Sequence, residues 1–113
     1  MLDLKLSTIG SFPVVSVVGR IDNATAHHFE ESLMKIMDSH SYNLIIDLKD
    51  LEYTNSTGLR AFLVAARKAR QSNKRLVMSQ IKPNIREIFD ISGLSEWCSI
   101  YSSISEARAG LVL

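Results

Sequence analysis

The chain has 113 residues, of which 46% are hydrophobic and 22% are charged, and its formal net charge is +1. This composition excludes a disordered chain and predicts a single globular domain, residues 1–113, large enough to bury a core without disulfides. Acidic and basic residues are interspersed, which argues against nucleic-acid binding, since that usually requires a basic stripe. The basic residues between positions 60 and 75 are interpreted as a solvated helix face, with a docking surface for an acidic partner as the alternative.

Cysteine content and the N-terminal segment indicate where the protein works. Cys98 is the only cysteine, so no intramolecular disulfide can form, and its neighbours Trp97 and Ile100 indicate a buried structural thiol. No apolar run approaches the length of a bilayer span, and residues 1–5 lack the basic-then-apolar layout of a secretion signal. We therefore expect a cytoplasmic protein that does not insert into a membrane.

The first third of the chain predicts two strands and a helix. Residues 2–8 alternate between apolar and polar side chains, as in a half-buried strand, and the β-branched run of residues 14–21 predicts a second strand antiparallel to it. Asp22 and Asn23 are typical helix N-cap residues. We expect them to begin an amphipathic helix that ends near Ser39.

The middle of the chain predicts a strand–helix–strand unit. Residues 43–48 form a short apolar run that fits a central strand buried on both faces. Residues 49–55 are expected to be a connecting loop. From Ser56 a second helix begins, which ends at Ser72, and residues 75–79 predict another inner strand.

The last third of the chain completes the predicted fold. Pro83 is placed where a third helix starts and Gly93 where it ends. Residues 97–101 predict a short strand, and residues 103–106 form a capping box for a terminal helix. The order β-β-α-β-α-β-α-β-α predicts a single α/β domain with a mixed, mostly parallel sheet packed with helices.

Enzyme chemistry finds little support in the residue pattern. The three histidines are His27, His28 and His40, and the first two point in different directions on the predicted helix. The glycines are scattered and form no phosphate-binding loop, and Ser56 lacks the flanking glycines of a nucleophile elbow. We therefore expect no catalytic residues, no metal site and no cofactor.

The most informative stretch is the junction that precedes the second helix. Asn55, Ser56, Thr57 and Gly58 follow a buried strand, at the sheet edge where α/β proteins usually place function. The first N–H groups of a helix lack internal partners and lie at the positive end of its dipole, so a phosphate on Ser56 would be accepted there. The alternative is that these hydroxyls are ordinary N-caps and that Gly58 allows close packing.

Three segments resemble the anti-sigma factor antagonists, the stand-alone STAS domains of bacterial partner-switching systems, and the resemblance covers essentially the whole chain. Residues 17–22 resemble the family's second strand, which ends in a Gly-x-x-Asp turn. Residues 43–51 resemble its central strand. Residues 55–59, Asn-Ser-Thr-Gly-Leu, resemble its phosphorylation motif Asp-Ser-Ser/Thr-Gly-Leu, with Asn55 replacing the usual Asp.

The resemblance implies a STAS-like fold and a phosphorylation switch in signal transduction and transcription regulation. The unphosphorylated protein would bind a partner that is both anti-sigma factor and ATP-binding serine kinase of the GHKL type, releasing a sigma factor or another client. Phosphorylation of Ser56 would end the binding, and a PP2C-type phosphatase would reset the protein. The resemblance places the following residues at the partner-binding site: Asp22, Asn23, Asn55, Ser56, Thr57 and Gly58.

Two other functions remain open from the sequence. The first alternative is a non-phosphorylated STAS module that regulates a transporter or a lipid-transport complex; Ser56 and the lack of a membrane segment favour the antagonist. The second is an enzyme or nucleotide-binding protein on the same α/β scaffold, which the missing glycine-rich loop disfavours.

Overall fold

The computed structural model describes residues 1–112, and within them the chain forms six strands and four α-helices. The strands are β1 (Leu2–Ile9), β2 (Phe12–Ile21), β3 (Leu44–Asp47), β4 (Leu51–Thr54), β5 (Leu76–Ser79) and β6 (Ile100–Tyr101). The helices are α1 (Ala26–Ser39), α2 (Ser56–Gln71), α3 (Pro83–Ser92) and α4 (Ile104–Val112), with a 3-10 turn at Leu94–Glu96.

The strands form one sheet in the order β1-β2-β3-β5-β6. The β1–β2 pair is antiparallel and the other pairs are parallel, which confirms the predicted mixed α/β fold. The predicted loop 49–55 contains an additional strand, β4, which runs parallel to the second half of β2. Since β2 has ten residues and β3 has four, β2 would otherwise expose unpaired backbone beyond the end of β3.

The two faces of the sheet are covered unequally. Helices α1, α2 and α3 pack on one face over the main core, whereas α4 packs on the other face over a small cluster. The small cluster contains Val14, Ile45, Val77 and Ala107. The two apolar faces explain why β3 and β5 are buried at every residue.

A row of three aromatic rings joins the helices of the main core. Phe29 of α1, Phe62 of α2 and Phe89 of α3 are each fully buried. The ring centroids of Phe29 and Phe62 lie 4.8 Å apart and those of Phe62 and Phe89 lie 5.4 Å apart, both in tilted geometry. Because Phe62 contacts both other rings, it connects the three helices over the sheet.

The third helix and the cysteine follow the sequence predictions. Pro83 is the first residue of α3, and Gly93 ends the helix with a φ of 83°, a conformation that glycine adopts without strain. Cys98 is buried, with its sulfur 3.8 Å from the sulfur of Met78. This confirms the predicted burial, and the same burial raises the pKa of the Cys98 thiol to about 11, so that the thiol form is favoured at neutral pH.

We predict that Phe62→Ala is among the most destabilising single substitutions in this chain. It removes the ring that contacts both Phe29 and Phe89, so it should lower the free energy of unfolding by about 3–5 kcal/mol. Urea unfolding followed by circular dichroism measures this loss. The matched control is Ile91→Ala on the exposed side of α3, where Ile91 is 80% exposed and the loss should be below about 0.5 kcal/mol. Equal losses for the two variants would contradict the central position of Phe62.

Candidate functional site

The carboxyl ends of β2 and β4 bring two loops to the same edge of the sheet. Ile21, the last residue of β2, pairs with Thr54, the last residue of β4. The chain leaves β2 into the loop that begins at Asp22, and it leaves β4 at Asn55 into α2. The Asn55 N–H donates to the carbonyl oxygen of Ile21 at 2.9 Å, so the two exits are joined at their first residues.

The loop after β2 is held by the side chain of Asp22. Its Oδ1 accepts hydrogen bonds from the N–H groups of Ala24 at 3.0 Å and Thr25 at 3.2 Å. Desolvation acts to raise the pKa of the Asp22 carboxyl, but these hydrogen bonds, with that of Ala24 foremost, hold it below its usual value. The carboxylate is therefore charged at neutral pH.

The predicted cap of α1 is wrong by two to three residues. The helix begins at Ala26 after Thr25, whose side chain makes no capping hydrogen bond. Asp22 instead bonds to the N–H groups of the turn that precedes the helix. A short Asp side chain that closes a turn on its own loop competes with helix capping, which is why the Asp-Asn pair did not mark the first residue of the helix.

Asn55 links the two loops and caps α2. Its Oδ1 accepts from the Gly58 N–H at 2.9 Å, and its Nδ2 donates to Oδ1 of Asn23 at 3.1 Å. Asn55 has the extended backbone of an N-cap residue. A carboxylate could accept the hydrogen bond from Gly58 but could not donate to Asn23, so the amide has a function here that the family's usual Asp would not supply.

Ser56 and Thr57 are the first two residues of α2, and both are exposed. Because Asn55 is the cap, the hydroxyl of Ser56 is not the capping group. Within residues 1–112, neither hydroxyl makes a hydrogen bond, and the first turn of α2 contains no acidic side chain. The positive end of this 16-residue helix is thus not neutralised next to Ser56.

Gly58 has a packing role at the same junction. It is buried, and a Cβ atom at this position would lie 2.7 Å from Cγ2 of Ile21 and would collide with Oγ1 of Thr54. Only glycine allows the first turn of α2 to approach β2 and β4 this closely.

Of the sequence-predicted site residues, the structure brings five to the surface of this edge and places Gly58 beneath them. The five are Asp22, Asn23, Asn55, Ser56 and Thr57, and we call them the Ser56 edge.

The sequence left the orientation of Tyr53 open, and it did not predict that Tyr53 contacts Arg20 next to the Ser56 edge. Tyr53 is 39% exposed, and the guanidinium of Arg20 lies 4.6 Å from the centroid of its ring. They face each other because Arg20 and Tyr53 are register partners in β2 and β4. Since this pairing exists only through β4, which was predicted as a loop, no local sequence signal could have joined these two residues.

A groove between α2 and the turn after α3 begins one helical turn from Ser56. Its volume is about 330 Å³. Its lining includes four apolar side chains and two basic ones, namely Leu59, Leu63, Leu94, Trp97, Arg60 and Arg67. The guanidinium of Arg67 lies 4.9 Å from the ring centroid of Trp97, so this charge is already held against the protein's own surface.

Other kinds of site find no support in the described part of the chain. Among residues 1–112, no group of three or more His, Cys, Asp or Glu side chains is placed to hold a metal ion. Within the same range, none of the helices has the length and apolar character required to cross a bilayer.

Comparison with known proteins gives consistent relatives. The family model described as the STAS domain matches residues 3–107. The chain is 31% identical over 108 residues to BtrV of Bordetella bronchiseptica, a protein named as an anti-sigma factor antagonist, and the match covers 96% of this chain and 93% of that protein.

Solved structures share the fold. The crystal structure of an anti-sigma factor antagonist from Mycobacterium paratuberculosis superposes with a TM-score of 0.85 at 23% identity, covering 100% of this chain and 96% of that one. The phosphorylated form of SpoIIAA, a cell fate determinant of Bacillus, superposes with a TM-score of 0.72 at 18% identity, covering 95% of this chain and 97% of that one. The site lies at the strand-to-helix junction on which the sequence resemblance rests, and the family model matches nearly the full length of the chain. This chain therefore belongs to the STAS-domain family.

Proposed function

We propose that this protein is an anti-sigma factor antagonist controlled by phosphorylation of Ser56. In this proposal the unphosphorylated form binds an anti-sigma factor that is also an ATP-binding serine kinase of the GHKL type. That binding releases a sigma factor or another client. The observation that carries the proposal is the exposed Ser56 hydroxyl at the positive end of α2, in a helix whose cap is supplied by Asn55. The names of the relatives support the same class of function.

Phosphorylation at this position is compatible with the fold. The cap bond between Asn55 and Gly58 does not involve the Ser56 hydroxyl, so adding a phosphate breaks no hydrogen bond of the site. The phosphate would lie at the N-terminus of α2, where free N–H groups and the helix dipole favour an anion. We therefore expect the phosphorylated protein to keep its structure.

The effect on a partner follows from charge and desolvation. The surface that would be covered contains neutral amides, Thr57 and the apolar start of the groove at Leu59. A phosphoserine adds about −1.5 to −2 charges to this surface. Burying this charge without a cationic partner is costly, and a coupling of about 3 kcal/mol weakens binding more than a hundredfold.

The remaining components follow from the same scheme. The kinase binds ATP, provides the catalytic groups and transfers the γ-phosphoryl group to the Ser56 hydroxyl, with ADP as the leaving group. This chain therefore acts as substrate and binding partner rather than as an enzyme. A PP2C-type phosphatase removes the phosphate and restores binding. No step requires a large rearrangement, because a local charge change at an interface is sufficient to act as a switch. We place these events in the cytoplasm.

We predict that a negative charge at position 56 abolishes partner binding. The wild type, Ser56→Ala and Ser56→Asp are immobilised, and proteins retained from a lysate of the source organism are identified by mass spectrometry. A small ATP-binding serine kinase should be retained by the first two and lost with Ser56→Asp. The purified kinase and ATP should then phosphorylate the wild type at Ser56 and leave Ser56→Ala unmodified.

The matched control for charge is Ser105→Asp, because Ser105 is also an exposed serine in the first turn of a helix but lies on α4. This variant should retain the kinase like the wild type. If all Ser56 variants retain the same proteins, or if a transporter component is retained in place of a kinase, the non-phosphorylated STAS module replaces the antagonist as the function.

We predict that Asn55 stabilises the protein through its side-chain carbonyl. Asn55→Ala removes the cap bond to Gly58 and should lower the free energy of unfolding by about 1 kcal/mol. Asn55→Asp keeps an acceptor for Gly58 and adds a negative charge at the helix N-terminus, so it should remain within about 0.5 kcal/mol of the wild type. Chemical unfolding measures both.

Asn23→Ala is the control that separates the two bonds of Asn55, because it removes only the bond between the loops. This exposed bond should contribute less than the cap. A loss for Asn23→Ala that equals the loss for Asn55→Ala would show that the connection between the loops, rather than the helix cap, is the stabilising interaction.

A further inference from the structure

The sheet has one long strand whose outer edge is unpaired in the described residues. Strand β1 has eight residues and pairs only with β2, whereas β6, at the opposite end of the sheet, has two. An unpaired strand of this length presents a row of free N–H and C=O groups that can pair with another strand. Most of its side chains are exposed, including Leu6 at 43%.

The hairpin determines which backbone groups of β1 point outward. Ile9 and Phe12 flank a two-residue turn, and the Arg20 N–H donates to the carbonyl oxygen of Met1 at 2.9 Å. In an antiparallel pair, hydrogen-bonded residues alternate with residues whose groups face away. The odd-numbered residues of β1 therefore bond to β2, and the backbone groups of the even-numbered residues face outward.

The side chains of β1 are arranged so that the strand is complementary to itself. Leu2 and Leu4 pack against the main core, and Leu6 lies on the same face by strand alternation but is exposed. Asp3 and Lys5 lie exposed on the opposite face. Neither Asp3 nor Lys5 takes part in an ion pair within residues 1–112. The strand thus has unpaired charges of both signs beside an outward-facing row of backbone groups.

We propose that two copies of this chain associate by antiparallel pairing of their β1 strands, centred on Leu4. In this register Leu4 faces Leu4 of the second copy, Leu2 faces Leu6, and Asp3 faces Lys5 on each side of the two-fold axis. Opposite charges directly across an antiparallel pair are favourable, and like charges are unfavourable.

The neighbouring registers that keep the outward-facing residues paired are disfavoured by charge. If the pairing is centred on Lys5 instead of Leu4, Lys5 lies opposite Lys5 of the second copy. If it is centred on Asp3, Asp3 lies opposite Asp3 of the second copy. Only the register centred on Leu4 joins the leucines in one row and forms two ion pairs. The interface consists of a single strand from each copy, so the dimer belongs to the weak, concentration-dependent class.

The proposed dimer leaves the Ser56 edge free. Antiparallel pairing reverses the direction of every strand in the second copy, so the two Ser56 edges lie at opposite ends of the joined sheet. The dimer therefore does not depend on the phosphorylation of Ser56.

The test measures self-association in analytical ultracentrifugation from about 10 μM to about 1 mM, a range that reveals weak dimers. Lys5→Asp places like charges opposite each other twice and should weaken the dimer about tenfold or more. The double variant Asp3→Lys/Lys5→Asp exchanges the charges, restores both ion pairs and should recover the wild-type dissociation constant. Lys35→Asp on α1 changes the net charge equally and should have no effect.

Amide hydrogen exchange provides a second readout. Raising the protein concentration should slow exchange at Leu4 and Leu6, whose N–H groups face outward, and should leave Lys5 unchanged. Circular dichroism confirms that each variant is folded. A wild type that is monomeric throughout the range overturns the proposal, as does a double variant that is as weak as Lys5→Asp or a Lys35→Asp variant that is equally weakened.

Discussion

The length of β2 is the constraint on which the arrangement of this protein depends. The first half of β2 pairs with β3 and its second half pairs with β4. Residues 44–54 therefore contribute two successive short strands that both pair with β2. The pairing of β4 places Thr54 beside Ile21 at the end of β2, where the Asn55 N–H donates to the carbonyl oxygen of Ile21. Without this pairing, the loop after β2 and the start of α2 would leave the sheet at different places, and the Ser56 edge would not form.

Asn55 joins the two loops at the Ser56 edge and also caps helix α2. One amide closes the N-terminus of α2 on one side and bonds to Asn23 on the other. Because the cap is supplied by the residue before the helix, the hydroxyl of Ser56 is exposed at the positive helix end and takes no part in capping. Under the proposed function, the structural and regulatory roles are divided between these two adjacent residues, and phosphorylation of Ser56 would leave the bond between Asn55 and Gly58 in place.

The rest of the chain forms a densely packed support for the Ser56 edge. The three phenylalanine rings connect α1, α2 and α3 over the buried face of the sheet, and Gly58 brings the first turn of α2 against Ile21 and Thr54. A densely packed support of this kind does not need to move for a charge at its surface to change an interface. The same closed packing leaves β1 as the long free edge among the described residues, and its charge pattern determines what it can pair with.

Most of the architecture was determined by local sequence patterns. Alternation over residues 2–8, the apolar run at 43–48 and the helical spacing after Ser56 were sufficient for the fold class, since each follows from burial of one face. The tertiary structure decided what depends on distant partners. Strand β4 forms because the second half of β2 has backbone N–H and C=O groups that need partners. The four residues of β4 have mixed polarity, so their local sequence does not predict a strand. The N-cap of α2 was equally undecided, because an Asn amide and a Ser hydroxyl are both good caps; it falls to Asn55 because the pairing with Ile21 holds that residue in an extended conformation at the entrance to the helix.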